Sequence, residues 1–378
     1  MPDPSELAAE RDAASLAQAE GPTVPASWWI RLGETVKAFP FGYRDLVQPF
    51  APDALERVET KDGAHVALAR YAPRSGRRFR EPVILCHGSG ANRYTFDLTE
   101  RHSLARRLAE RGFETFILEL RGRGEAGPLE PGRCTFDAMA EHDVRAALAH
   151  VTAKAAEAGA PGAGALWVGH AKGGLLPLAH LGRFPQAPLR AVVTLGSPTT
   201  FTVQRGLKAF ARLLRPLLDS SRVRVPIQNL ARLSLFVPPP DWFMLYLANS
   251  PNIDADVRNR ALVNVSADVS AGIARQLIRW ATTGRWESAD GSVDYAALLS
   301  RVSVPTLHVA GAQDLLAPPE AVEHAKTLLG GPCEILVAGR VSGFGDDYGH
   351  GDLVLGRRAP DELYPRIIAF LEAQATSV

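Results

Sequence analysis

Six short, unbroken apolar runs, separated by stretches of helical character, constrain this chain more than any other feature. They begin at Pro82 and read PVILCHG, ETFILEL, ALWVGH, LRAVVTLGS, VPTLHVAG and CEILVAG. A strand covered on both faces reads in this way, because neither side of its pleat meets water. Helices are expected between them, near residues 97 to 111, 135 to 156, 172 to 184, 318 to 329 and 361 to 374. Such alternation predicts an α/β fold with a doubly wound, mostly parallel sheet. Just upstream, LERVETKDGAHVALARYAP alternates apolar and polar residues around Asp62-Gly63. That dipeptide tolerates the positive φ angles of a tight turn, so two antiparallel strands are expected at one sheet edge.

One connection breaks the rhythm. About a hundred residues separate Ser197 from Val304, where a helix and two short loops would suffice. This stretch holds a basic amphipathic segment, FTVQRGLKAFARLLRPLL, and then LFVPPPDWFMLYLANSPN, rich in large apolar groups. It predicts a mostly helical cap over the carboxyl ends of the strands, where open α/β sheets bind ligands. A helical subdomain with its own small core is the plainer alternative. The expected organisation is an N-terminal tail and aromatic-rich helical arm over residues 1–50, a core over 51–198 and 301–378, and a cap over 199–300.

Bulk properties narrow the function. The 378 residues are 46% hydrophobic, enough for a sizeable interior. Forty-two basic and 41 acidic side chains leave a formal charge of +1, so no overall field favours nucleic acid, an anionic membrane surface or a polyanionic substrate. Cys86, Cys134 and Cys333 are odd in number and scattered, which suits a reducing compartment; Cys86 and Cys333 lie in apolar runs and read as core residues. The first residues, MPDPSELAAERDAASLAQAEGP, have neither the basic nor the apolar region of a secretory signal, and no stretch approaches the roughly 20 apolar residues of a membrane span. A cytoplasmic location is expected.

The chemistry centres on GHAKGG, Gly169 to Gly174, which directly follows ALWV and directly precedes an apolar helical run. Strand, sharp turn and helix form the setting of a nucleophile elbow, G-x-S-x-G, whose flanking glycines relieve crowding at a strained turn. Here Gly169 and Gly173 stand at the right offsets, and Ala171 occupies the nucleophile position. An acid and a histidine should follow, each after a late strand. Asp314 lies in AQDLLAPP after VPTLHVAG, and His350 lies in VSGFGDDYGHGDL after CEILVAG. Alone, each could be a capping aspartate or a surface histidine. HGSG, His87 to Gly90, ends the first parallel run, where an oxyanion-binding loop would sit; the backbone N–H groups of Ser89 and Lys172 are the candidate donors. RGRG, Arg121 to Gly124, is expected to be structural.

From about Glu56 onward the chain resembles the α/β-hydrolase superfamily, and HGSGANRYTFD, LELRGRGE, VGHAKGG and TLGSP resemble its lipase and esterase branch. The resemblance implies a sheet of the α/β-hydrolase type with an inserted helical cap, and hydrolysis of an ester, amide or thioester through an acyl-serine intermediate. Ala171 departs from that pattern, since a methyl group cannot attack a carbonyl. Three readings stay open: an active hydrolase silenced by replacement of serine with alanine, a binding protein on a hydrolase scaffold, and a non-hydrolytic enzyme (cyclase, lyase or cofactor-free oxygenase) using the His350–Asp314 dyad as general base. Phe236, Trp242, Phe243, Met244 and Tyr246 in the cap suggest a small-molecule substrate with an apolar acyl or polycyclic group, although packing alone would also explain them. The histidines lack ligand spacing and RGRG is not a phosphate loop, so neither metal nor nucleotide cofactor is expected.

Overall fold

A computed structural model describes residues 44–49, 51–128, 130, 132–201, 224–237 and 239–378, with the backbone alone at Asp241 and Trp242. Most of the expected N-terminal arm and nearly all of the basic amphipathic segment lie outside these residues.

The strands of the main sheet are β1 (Ala54–Glu59), β2 (His65–Tyr71), β3 (Val83–Cys86), β4 (Thr115–Glu119), β5 (Ala165–His170), β6 (Leu189–Leu195), β9 (Thr306–Gly311) and β10 (Cys333–Ala338); a short pair, β7 (Arg224–Val225) and β8 (Val269–Ser270), lies between β6 and β9. The eight are ordered β1-β2-β4-β3-β5-β6-β9-β10. The Asp62-Gly63 turn joins β1 to β2 antiparallel, β2 meets β4 antiparallel, and the remaining neighbours are parallel. Every one of the six apolar runs is a strand, and β3, β4, β5 and β9 are buried along their whole length. Side-chain alternation sends Leu166 and Val168 of β5 into one core and Trp167 into the other, so both faces of the sheet are covered. Cys86 is buried as expected, whereas Cys333 opens the edge strand β10 and stays half-exposed, because no further strand covers it.

The longer described helices are α1 (Leu104–Glu110), α2 (Val144–Glu157), α3 (Lys172–Arg183), α4 (Ile227–Leu233), α5 (Asp241–Leu247), α6 (Ala255–Asn264), α7 (Ala271–Thr283) and α8 (Tyr364–Gln374), with shorter α turns at Phe136–Ala138, Tyr295–Leu298, Pro319–Glu323, Ala325–Leu328, Asp352–Leu355 and Ala359–Glu362. The first starts later than its periodicity suggested. Ser103 caps it by accepting the Arg106 amide, and Asp97, expected inside the helix, instead accepts the Tyr71 hydroxyl at 2.5 Å and Arg106 Nε at 2.8 Å. The long expected helix over 135–156 is interrupted by a π turn at Met139–Asp143, whose last residue, Asp143, is fully buried. Among the described residues no helix is long and apolar enough to cross a membrane.

Arg121 ties three of these pieces together. Its guanidinium meets Asp62 in the first turn at 2.6 Å and the fully buried Asp143 of the π turn at 2.7 Å. Arg121→Leu would strand a buried carboxylate, so a loss of about 3–5 kcal/mol is expected in urea denaturation, much of it recovered in Arg121→Leu/Asp143→Leu. Acid should also destabilise the fold. Burial pushes the His180 and His308 imidazoles down to about 4, while the unfolded chain takes up their protons near pH 6.5. As pH falls from about 6.5 to about 4 the unfolded state therefore binds more protons and stability declines. A urea midpoint that stays flat across this window would contradict the assignment.

Candidate active site

The elbow is built by crowding. A Cβ on Gly173 would overlap the Cys86 carbonyl at the end of β3, one on Gly169 would overlap the Gly173 carbonyl, and one on Gly174 would strike Ser197 Oγ. The chain between them must turn within a single residue, and that residue is Ala171, with φ 49° and ψ −119°. Among the described residues it is the one non-glycine at positive φ. Such a conformation costs about 1–3 kcal/mol and persists only where its surroundings over-determine it. Here the Ala171 amide donates to the Leu195 carbonyl at 2.8 Å, and its carbonyl accepts the Ser197 hydroxyl at 2.7 Å and the Gly174 amide at 3.0 Å. From the sequence Ser197 reads only as the end of a strand run in the TLGSP segment, and its contact with the elbow appears in the structure alone.

The structure brings Asp314 and His350 together at this turn. Asp314 is 1% exposed, and its Oδ2 accepts His350 Nδ1–H at 2.8 Å. Its Oδ1 accepts the amides of Leu316 and Ala317 at 2.9 and 2.8 Å, which fixes the carboxylate plane. Gly196, at φ 58°, makes the meeting possible: a Cβ there would lie 3.0 Å from both Asp314 Oδ2 and His350 Nδ1. With its Nδ1 proton on Asp314, His350 presents a basic Nε2, which no described residue hydrogen-bonds. Burial opposes protonation of the ring, but the Asp314 carboxylate, with Asp352 behind it, more than offsets this and raises its proton affinity. Asp352 also holds the His350 loop, accepting the amides of Asn249 and Gly349, both at 2.9 Å.

His170 is a residue that the sequence reading missed, since it fills a variable position of the elbow motif. Its ring lies 4.7 Å from that of His350, and its Nε2 donates to the His350 carbonyl at 3.1 Å. Burial pushes it down to about 3, so it braces His350 as a neutral group.

The HGSG loop passes directly beside the elbow. A Cβ on Gly88 would sit 3.2 Å from that of Ala171. Neither the Ser89 nor the Lys172 amide has an acceptor among the described residues, so two N–H groups remain available on this side of the turn. The apolar group expected to bind substrate is less defined. Phe236 and Phe243 are 54% and 44% exposed, Met244 and Tyr246 are half-buried, and the Trp242 side chain lies outside the described residues. The helix that carries all of these but Phe236, α5, does reach the site through its backbone, because the Gly351 amide donates to the Leu247 carbonyl at 2.8 Å.

Two outcomes follow from this geometry. Ala171→Gly should raise the unfolding free energy by about 1 kcal/mol, because glycine adopts positive φ without strain; no gain in chemical denaturation would mean that the turn is unstrained. Asp314→Asn should drop the His350 imidazole below the usual value of about 6.5, since burial then dominates, and an NMR titration of the ring reads this directly.

Comparison with known proteins agrees with the fold. The chain matches the family model described as serine aminopeptidase, S33, over residues 78–331, more than half its length. No curated protein matches it. Among solved structures it is similar to a soluble variant of monoglyceride lipase from Saccharomyces cerevisiae, with 16% identity, a TM-score of 0.61, and 88% of this chain and 98% of that one covered. A thermophilic esterase from Thermogutta terrifontis shares 19% identity at a TM-score of 0.55, with 85% and 100% covered. The monoacylglycerol lipase of Paleococcus ferrophilus shares 16% at 0.55, with 82% and 99% covered. These likenesses carry the fold, and with the family match over most of the sheet they show that the chain belongs to the serine aminopeptidase S33 family of the α/β-hydrolase superfamily.

Proposed function

We propose that the chain carries an esterase- or lipase-type site that binds an acyl ester and polarises its carbonyl, with Ala171 standing where the serine nucleophile of such a site belongs. The observation that carries this reading is the backbone of Ala171. A strained φ of 49° is kept at the apex of the elbow, within reach of an Asp314-oriented histidine. In this reading the ester carbonyl lies over Ala171 and its oxygen accepts the amides of Ser89 and Lys172. His350 Nε2 faces the reacting carbon, where it would take a proton from a hydroxyl at position 171 and return it to the leaving alcohol. Asp314 holds the ring in the required tautomer and stabilises its cation. No cofactor enters the scheme.

Residues 199–300 act as the cap in this proposal. Support comes from contacts on two sides of the elbow: Leu247 on the His350 loop, and Ala267, whose amide donates to the Gly90 carbonyl at 3.0 Å. The apolar side chains of α5 then adjoin the acyl path, as expected for a small apolar ester.

With a methyl group at position 171 no acyl-enzyme forms, and turnover falls to what binding and oxyanion stabilisation alone provide. Ala171→Ser should therefore become labelled by a fluorophosphonate and hydrolyse p-nitrophenyl esters at least about a thousandfold faster than the parent chain. No label and no turnover in that variant would refute the reading. The free, basic Nε2 of His350 also favours a second reading, in which the dyad abstracts a proton from a carbon acid or from water without any nucleophile at 171. Activity of the parent chain that His350→Ala abolishes would support it, and activity untouched by that substitution would exclude it.

A further inference from the structure

Two buried cations beside the elbow have no role in the chemistry above. Lys172 is 3% exposed and Arg123 7%. Long charged side chains are almost never buried unless paired. The Lys172 ammonium instead meets the thioether of Met139, 3.3 Å away, a weak acceptor. The side chain of Arg123, in the turn after β4, makes no hydrogen bond or ion pair with any described residue.

The carboxylates within electrostatic reach are already engaged. Asp143 belongs to Arg121, Glu119 to Arg93 and the Glu125 amide, and Asp268 to Arg224 and the Gln228 amide. The cations also feel one another. Burial first, and then Arg123, push the Lys172 ammonium down to about 8, while burial and both cations hold His87 well below the usual imidazole range. Positive charge is thus concentrated, and among the described residues neither cation has a carboxylate in direct contact.

Its location points to the substrate. Lys172 follows Ala171 directly, and His87 precedes the glycine that faces the Ala171 methyl group. Arg123 lies in reach of Asp268 and Cys134, which the inserted segment brings together through Ser270 Oγ donating to the Cys134 carbonyl at 2.6 Å. Elbow, HGSG loop and insertion therefore meet around the two cations. The π turn supplies Met139 and Asp143 to the same place, and π turns concentrate at functional sites.

We propose that Arg123 and Lys172 form a receptor for one carboxylate carried on the acyl chain of the substrate, which makes the preferred ester a monoester of a short dicarboxylic acid. The inference rests on the ester-binding reading above and replaces its simple apolar acyl group. Lys172 would offer its amide to the carbonyl oxygen and its ammonium, on a stem of about four carbons, to the far carboxylate, so a glutaryl-like spacing fits. A carboxylate held by charge-assisted hydrogen bonds also supplies the missing counter-charge.

The test compares two esters on the Ala171→Ser variant: the p-nitrophenyl monoester of glutaric acid and p-nitrophenyl valerate, alike in acyl length and differing in the carboxylate. The expected kcat/KM ratio favours the glutarate ester by about tenfold or more, and Arg123→Met in the same background removes most of that preference. Arg123→Gln serves as a second variant should the methionine form fail to fold. Turnover of both esters with valerate equal or preferred overturns the receptor and leaves the hydrolase reading standing. If neither ester turns over and no fluorophosphonate label appears, the hydrolase reading fails, and calorimetry on the unaltered Ala171 chain decides the receptor on its own. Monomethyl glutarate binding that Arg123→Met weakens about tenfold supports it; no binding, or acetate binding equally well, overturns it.

Discussion

The Cys86 carbonyl approaches the first turn of α3 so closely that position 173 has no room for a Cβ, and the rest of the site depends on that approach. Because β3 ends against the helix start, the chain leaving β5 has one residue in which to reverse, and Ala171 takes the strain at φ 49°. The HGSG loop passes the same turn, and the Ser89 and Lys172 amides there have no acceptor among the described residues. β6 completes the support from the other side: the Leu195 carbonyl and the Ser197 hydroxyl grip Ala171, and the bare Gly196 gives Asp314 and His350 room to meet. Strain at the apex is thus balanced by hydrogen bonds from a strand that the sheet itself holds in place.

Electrostatics then divides the site into two halves. On one side a buried carboxylate orients His350 and raises its proton affinity, while the neighbouring His170 stays neutral and adds no competing charge. On the other side Lys172 and Arg123 bring positive charge together where, among the described residues, the nearby carboxylates already pair with other groups. The two halves meet at Ala171. A substrate bridging them would place its carbonyl between a base and two amide donors, with its acyl chain running toward the cations.

Much of this was legible in the chain itself, and the reasons are local. Continuous apolar runs identified six strands, of which the edge strand β10 alone is largely uncovered, the Asp62-Gly63 turn identified the edge hairpin, and paired glycines around Ala171 marked the elbow. Asp314 and His350 could be read from their order after late strands. Helix starts were read less well. The helix expected from residue 97 begins at Leu104, because Asp97 is committed to Tyr71 and Arg106, partners that only folding brings near. The π turn at Met139–Asp143 left no local mark either, and Asp143 at its end pairs with Arg121, which only folding brings near.

By itself, then, the sequence determined the order of strands and helices, the alanine at the elbow apex, and the acid and histidine that follow it, because periodicity and turn chemistry act between near neighbours. Tertiary structure alone decided that His170 braces His350, that Ser197 grips the elbow, that Gly196 admits the dyad, and that Lys172 and Arg123 lie buried with no carboxylate in direct contact among the described residues. Each of these is a matter of burial or close approach between residues far apart in the chain, and no local pattern records it.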